Sequence, residues 1–177
     1  MLIGFKGAGK STVGPLLAGR LGCSFDDLDR MVGDAASKIL GGAVSFREAF
    51  RRLGEPEFRK LERGLLSKVL AGKRFVIALG GGAALDPAAR EDLRGHCVVY
   101  LRAPESDLVR RVRSEGWPAY LDGETDPEVA FQNMMAERLP QYEEMCDIIV
   151  DCPDGATPAS VAEEAGWQVS EWLESHR

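Results

Sequence analysis

A chain of 177 residues with 45% hydrophobic and 28% charged side chains can bury one sizeable core and is too short for several domains. Its net charge of −6 excludes a general hold on nucleic acid, which needs a basic surface. No apolar run is long enough to cross a bilayer, no secretory leader precedes the first glycine loop, and the four scattered cysteines form no C-x-x-C pair. The expected setting is therefore the cytoplasm, with reduced thiols and no membrane partner.

In chain order, apolar runs alternate with helical patterns, as a parallel sheet covered by helices requires. MLIGF at the start predicts a short buried strand, and one so close to Met1 predicts a natural start further upstream. KSTVGPLLAGRLG follows with helical spacing and a glycine stop at Gly22. CSFDDLD predicts a second strand running into acidic residues. Residues 30 to 71 read as helical, broken near Gly41 to Ala43 and near Gly54 to Pro56. RFVIALGGG is a third strand ending in glycines, and HCVVYL a fourth. PESDLVRRVR is a helix, residues 114–126 a mobile polar loop, and PEVAFQNMMAERLPQYEEM a helix bent near Pro140. CDIIVD is the fifth strand, and the last twenty residues close the fold as a helix. The expectation is an α/β domain over residues 1–177 with a doubly wound five-stranded parallel sheet, its ligands bound beyond the carboxyl ends of the strands.

Gly4, Gly9, Lys10 and Ser11 fit the phosphate-loop pattern G-x-x-x-x-G-K-[ST]. Glycines let backbone N–H groups curl around phosphate oxygens, and the following helix turns its positive end toward the anion. Gly7, Ala8, Gly9, Lys10, Ser11 and Thr12 are the candidate nucleotide contacts, with Lys10 at the β and γ phosphates and the Ser11 hydroxyl on magnesium. On its own the loop indicates ATP with Mg²⁺ and leaves the acceptor open.

The acidic run Asp26, Asp27, Asp29 lies at the end of the second strand. One carboxylate can hold the metal through water and another can accept a substrate hydroxyl proton; helix capping is the plain alternative. In FREAFRRLGEPEFRKLER most charges suit a solvated helix face. Phe58, Leu61 and Leu65 supply an apolar stripe with Arg59 off it, free to fork onto a carboxylate. Gly80, Gly81 and Gly82 permit a ligand to lie against the backbone.

Together LIGFKGAGKSTVG, FDDLD, GEPEFRKLE, ALGGGAAL, VVYL and ERLPQYEEMCD resemble the shikimate kinase family of phosphate-loop enzymes, in family order and over nearly the whole chain. The resemblance implies transfer of the ATP γ-phosphoryl group to the 3-hydroxyl of shikimate by a monomer, with an acceptor-binding lobe at about 28–60 and a lid at about 114–126. It implies Lys10 and Ser11 for Mg-ATP, and Asp27 for the metal through water. Asp29 would serve the shikimate hydroxyls and the attacking proton, and Arg59 and Arg138 the carboxylate. Gly80, Gly81 and Gly82 would line the ring, and Arg110 would lie near the adenine, with Arg111 beside it as the alternative.

Two departures stand out. The family lid carries R-P-L-L, and Trp117 stands where its arginine would be, in a lid without lysine or arginine but with Glu115, Asp122, Glu124 and Asp126. Arg113, or Arg111, is the expected substitute cation, and Trp117 is expected to pack as an apolar latch or cover a ring. The interval from Asp29 to Arg59 is also about six residues longer than the family pattern, which can reshape the acceptor pocket or add harmless surface. A kinase of another small polyhydroxylated acid and a catalytically weakened nucleotide-binding homologue therefore stay open.

Overall fold

Leu2 and Ile3 (β1, Leu2–Ile3) are fully buried, as a central strand covered on both faces requires. The computed structural model describes residues 1–72, 74–118 and 121–176. β2 (Ser24–Asp27), β3 (Phe75–Ala78), β4 (Val99–Arg102) and β5 (Ile148–Asp151) complete an all-parallel sheet in the order β2-β3-β1-β4-β5. Leu2 is in register with Ala78 on one side and Val99 on the other, so β1 is where the strand order reverses.

Because every strand runs the same way, the segments after β1, β2 and β3 emerge at one edge. After β1 comes the turn into α1 (Lys10–Leu21), with Gly7 and Gly9 at φ 86° and 91°, where only glycine is comfortable. After β2 the chain enters α2 (Leu28–Leu40) at once, so Asp29 stands in the first turn of a helix rather than on a strand tail. After β3 it passes through Leu79–Gly82 into a 3-10 turn (Ala83–Leu85) and α5 (Pro87–Asp92). That short alanine- and proline-containing stretch lacks an apolar period, and the sequence did not show its helix.

Two helices, α3 (Phe46–Leu53) and α4 (Glu55–Leu70), pack on each other and on α2. Phe58 meets Phe46 and Phe50 edge-on at centroid distances of 4.9 and 5.2 Å, which binds the three helices into one apolar wall. The fully buried positions of α4 are Phe58, Glu62 and Leu66, with Leu61 and Leu65 only partly covered. The stripe is thus rotated from the expected one and brings a glutamate inside.

α6 (Glu105–Glu115) packs against α7 (Pro127–Met145), which runs on through Pro140, and α8 (Pro158–Ser175) lies along α1. Gly14 of α1 is set so close to β2 that a Cβ there would lie 2.1 Å from the Phe25 ring. Phe5, Phe131 and Tyr142 fill the core beneath the phosphate loop with edge-to-face contacts at 5.7 and 5.5 Å. Among the described residues, no helix is long and apolar enough to cross a membrane.

Candidate active site

The loop from Gly4 to Gly9 opens on a cleft of 1070 Å³. Gly7, Gly9, Lys10, Ser11 and Thr12 line it on one side, while Ala8 is buried behind them. No side chain caps α1 at Gly9. Its amino-terminal end therefore faces the cleft with the partial positive charge that favours an anion. The Lys10 ammonium donates to the carbonyls of Gly4 and Phe5, both at 2.8 Å. Desolvation draws its pKa below the ordinary lysine value, and the nearby Asp29 and Asp27 charges oppose that.

Asp27 closes the mouth of the loop. Its Oδ2 accepts the Ser11 hydroxyl at 2.5 Å, and its Oδ1 accepts the Arg30 backbone N–H at 3.3 Å as the cap of α2. The two readings of this carboxylate, cap and metal group, use different oxygens. A hydroxyl and a carboxylate oxygen side by side next to a phosphate cradle are the hard donors that Mg²⁺ prefers. The pair fits a magnesium ion, which Ser11 would hold beside the phosphates with Asp27 supporting it through water.

Asp29 lies deeper. Its Oδ1 is buried without a hydrogen-bond partner among the described residues, and burial pushes the carboxyl up to about 6 even though Lys10 and, more weakly, Arg59 and Lys6 pull it down. A Cβ on Gly80 would sit 2.4 Å from that oxygen, so Gly80 is the gap into which Asp29 fits. Gly81 accepts the Tyr142 hydroxyl through its carbonyl at 2.5 Å, and a Cβ on Gly82 would lie 3.0 Å from an Arg59 guanidinium nitrogen. All three glycines line the cleft, each as a close approach to a different side chain.

Arg59 from α4 and Arg138 from α7, 79 positions apart in the numbering, line the same cleft with Asp29. The Arg59 guanidinium is oriented by Glu62, whose Oε2 accepts its N–H at 2.5 Å, and by Glu55 at 3.7 Å. Glu62 is 3% exposed, its other oxygen has no partner among the described residues, and burial pushes its carboxyl up to about 7 against the pull of Arg59.

Two expected residues stand elsewhere. Arg113 forms an ion pair with Glu128 on the outer side of α6 and does not line the cleft. Arg110, one position from the register that would face inward, pairs with Asp107 at 2.7 Å and reaches Asp154 at 3.6 Å; it lies beside Arg113 in a separate shallow depression. The arginine of this helix that faces the cleft is Arg111, donating to the Gly7 carbonyl at 2.7 Å. Helical spacing separates the three nearly adjacent arginines, and the packing of α6 turns Arg111 inward.

Trp117 packs against Phe131 at 5.7 Å between ring centroids and is not part of the cleft lining. Of the lid stretch, Ala119 and Tyr120 lie outside the described residues. Of the longer interval around residues 34–46, Ser45 and Phe46 line the cleft, while residues 30–44 do not.

Among known proteins, the family model described as Shikimate kinase matches residues 6–169. The chain belongs to the shikimate kinase family. The shikimate kinase of Thermobifida fusca is 38% identical over 163 residues, covering 92% of this chain and 90% of that protein. That of Rhodococcus jostii is 33% identical over 164 residues, with 93% of each covered. A solved shikimate kinase from Acinetobacter baumannii, in complex with shikimate, superposes with a TM-score of 0.77 at 29% identity, over 99% of this chain and 92% of that one. The Aquifex aeolicus shikimate kinase superposes at 0.72 with 27% identity, over 97% and 96%. The five-stranded parallel sheet is thus that of the shikimate kinases.

Sequence reasoning gave no role to three residues that line the cleft. Glu62 closes the GEPEFRKLE stretch but stood there among other charges. Phe50 stands with Phe58 on the cleft wall. Lys6, within GFKGAGK, was a visible signal: a second lysine inside a phosphate loop.

Proposed function

We propose that this chain is an ATP-dependent kinase that phosphorylates the 3-hydroxyl of shikimate. The observation that carries the reading is that the phosphate loop, Asp29, Arg59 and Arg138 all line one cleft. Its volume of 1070 Å³ leaves room for a nucleotide tail and a small acid together.

The loop amides and the start of α1 hold the nucleotide phosphates, and Lys10 exchanges its two carbonyl partners for β- and γ-phosphate oxygens. Ser11 and, through water, Asp27 would hold Mg²⁺, which would neutralise phosphate charge. Arg59 and Arg138 grip the acceptor's carboxylate with charge-assisted bonds, and the small glycine surface of residues 80–82 lets the ring lie beside Asp29. Asp29 orients the attacking hydroxyl. The oxygen–phosphorus bond to the acceptor forms as the bond from phosphorus to the ADP oxygen breaks, and the hydroxyl proton passes to the Asp29 carboxylate. Catalysis here is placement and charge stabilisation.

The lobe at about 28–60 is the acceptor side and the segment at about 114–126 the cover. The proposed acting unit is a monomer, as the family resemblance implies. Four cysteines without a disulfide among the described residues, and a nucleotide triphosphate as donor, support a cytoplasmic setting. The direct test is to incubate the pure protein with Mg-ATP and shikimate and to follow ADP and shikimate 3-phosphate by mass spectrometry. Stoichiometric formation of both is expected; ADP release without a phosphorylated acid would overturn the reading.

A further inference from the structure

The segment from Ser114 to Asp126 contributes no basic side chain, and it sets Glu115 and Glu124 on the cleft. A site for a transferring phosphoryl group needs positive charge on that side. The cations lining the cleft are Lys6, Lys10, Arg47, Arg59, Arg111 and Arg138. Arg59 is held by two glutamates on the acceptor side, Lys10 by two loop carbonyls, and Arg111 by Gly7 with Asp107 at 4.0 Å. Lys6 spans from the phosphate loop to the cover: its Nζ donates to the Gly116 carbonyl at 2.9 Å, just past the end of α6.

We infer that Lys6 is a second phosphate lysine, whose ammonium leaves the Gly116 carbonyl for an oxygen of the transferring phosphoryl group when nucleotide binds. This rests on the phosphoryl-transfer reading of the cleft. Lys6 belongs to the loop that wraps the phosphates, two residues after Gly4, and its four-carbon stem lets the charge move while the backbone stays in place. The partner it gives up is a neutral carbonyl, and the one it gains is an anion, which adds the attraction of opposite charges to the hydrogen bond. Its surroundings mark the same junction. Burial lowers its pKa, and the charges that act on it belong to Glu115 at the cover, Arg47 on the acceptor lobe and Asp29. A cation fixed in the loop answers two lid carboxylates that would otherwise repel a triphosphate.

The test compares Lys6→Met, Lys6→Arg and, as a neighbouring control, Arg47→Met. Binding of Mg-ADP and of a non-hydrolysable Mg-ATP analogue is measured by calorimetry, and turnover with shikimate by coupled assay. Lys6→Met is expected to keep the Mg-ADP affinity, lose about tenfold in preference for the triphosphate analogue, and lose about 10²- to 10³-fold in kcat with little change in the shikimate KM. Lys6→Arg should recover much of both. Unchanged analogue preference and kcat in Lys6→Met would overturn the inference, as would a loss confined to Arg47→Met or one that Lys6→Arg does not relieve. If the wild-type protein transfers nothing to shikimate, the kinase reading fails on its own, while the analogue-to-ADP ratio still decides the role of Lys6.

Discussion

Asp29 combines a buried oxygen without a partner and a carboxyl pushed up to about 6, held against a glycine that leaves it no spare room. Two consequences follow from that position. As a proton acceptor it works only when ionised, so kcat/KM for shikimate is expected to fall about tenfold per pH unit on the acid side of pH 6. A pH profile flat down to about pH 5 would remove Asp29 from that role. The second consequence concerns Gly80. A methyl group placed 2.4 Å from Asp29 Oδ1 must push the carboxylate aside, because backbone holds one partner and helix α2 the other. Gly80→Ala should therefore cost about 10²-fold in kcat, the penalty for misplacing a reacting group by an ångström. Mg-ATP affinity should hardly change, since Gly80 adjoins Asp29 and not the phosphate loop. Equal kcat in the variant would show that the gap is not needed.

Helices α1 and α2 carry the functional ends of the sheet, and each is tied down by a residue whose reason is local. Asp27 caps α2 through one oxygen and meets Ser11 through the other. Asparagine caps a helix about as well as aspartate but brings no charge to a metal, whereas alanine does neither. Asp27→Asn should keep its thermal stability and weaken Mg-ATP binding; Asp27→Ala should weaken binding and also lose about 1 kcal/mol in urea unfolding. If both variants lose the same stability, the cap is not what Asp27 contributes to the fold. Gly14 makes the complementary case in α1. Alanine is the better helix former by about 1 kcal/mol, yet its Cβ would stand 2.1 Å from the Phe25 ring and force helix and strand apart. Gly14→Ala should thus destabilise the protein, by about 1–3 kcal/mol in the same assay. The phosphate loop, the five strands and the glycine run were legible in the sequence because each depends on nearby residues: a glycine spacing, an apolar run, a turn. The inward register of α6 was not, because Arg110, Arg111 and Arg113 are equivalent until α7 and the loop choose a face. Nor was burial of Glu62, which depends on α4 rotating by part of a turn against α2 and α3. Trp117 was legible as an apolar latch since its size and its place beside a core helix point to packing.

On the scale of the whole molecule, the cleft works against the stability of the empty fold. Asp29 Oδ1 and Glu62 Oε1 are buried oxygens without partners among the described residues, and both residues line the cleft with Arg59 and Arg138. Such arrangements are kept where function needs charge in a dry place, and the rest of the fold offsets them. The cost has a definite sign in pH. Both carboxyls bind a proton more tightly folded than unfolded, Asp29 at about 6 against 3.8 and Glu62 at about 7 against 4.5. Their contribution to stability is complete below the unfolded values and is lost as pH rises through about 6 and then about 7. Nucleotide-free protein should therefore lose stability from these two groups between about pH 4 and pH 7 in urea unfolding. Glu62→Gln cannot ionise, so its stability should fall less over the same interval, whatever its absolute value. The slope, not the level, is the readout, since the substitution also alters the partner of Arg59. Parallel curves for the two proteins would mean that Glu62 is already ionised in the folded state at about pH 5, and that Arg59 outweighs burial in setting its charge.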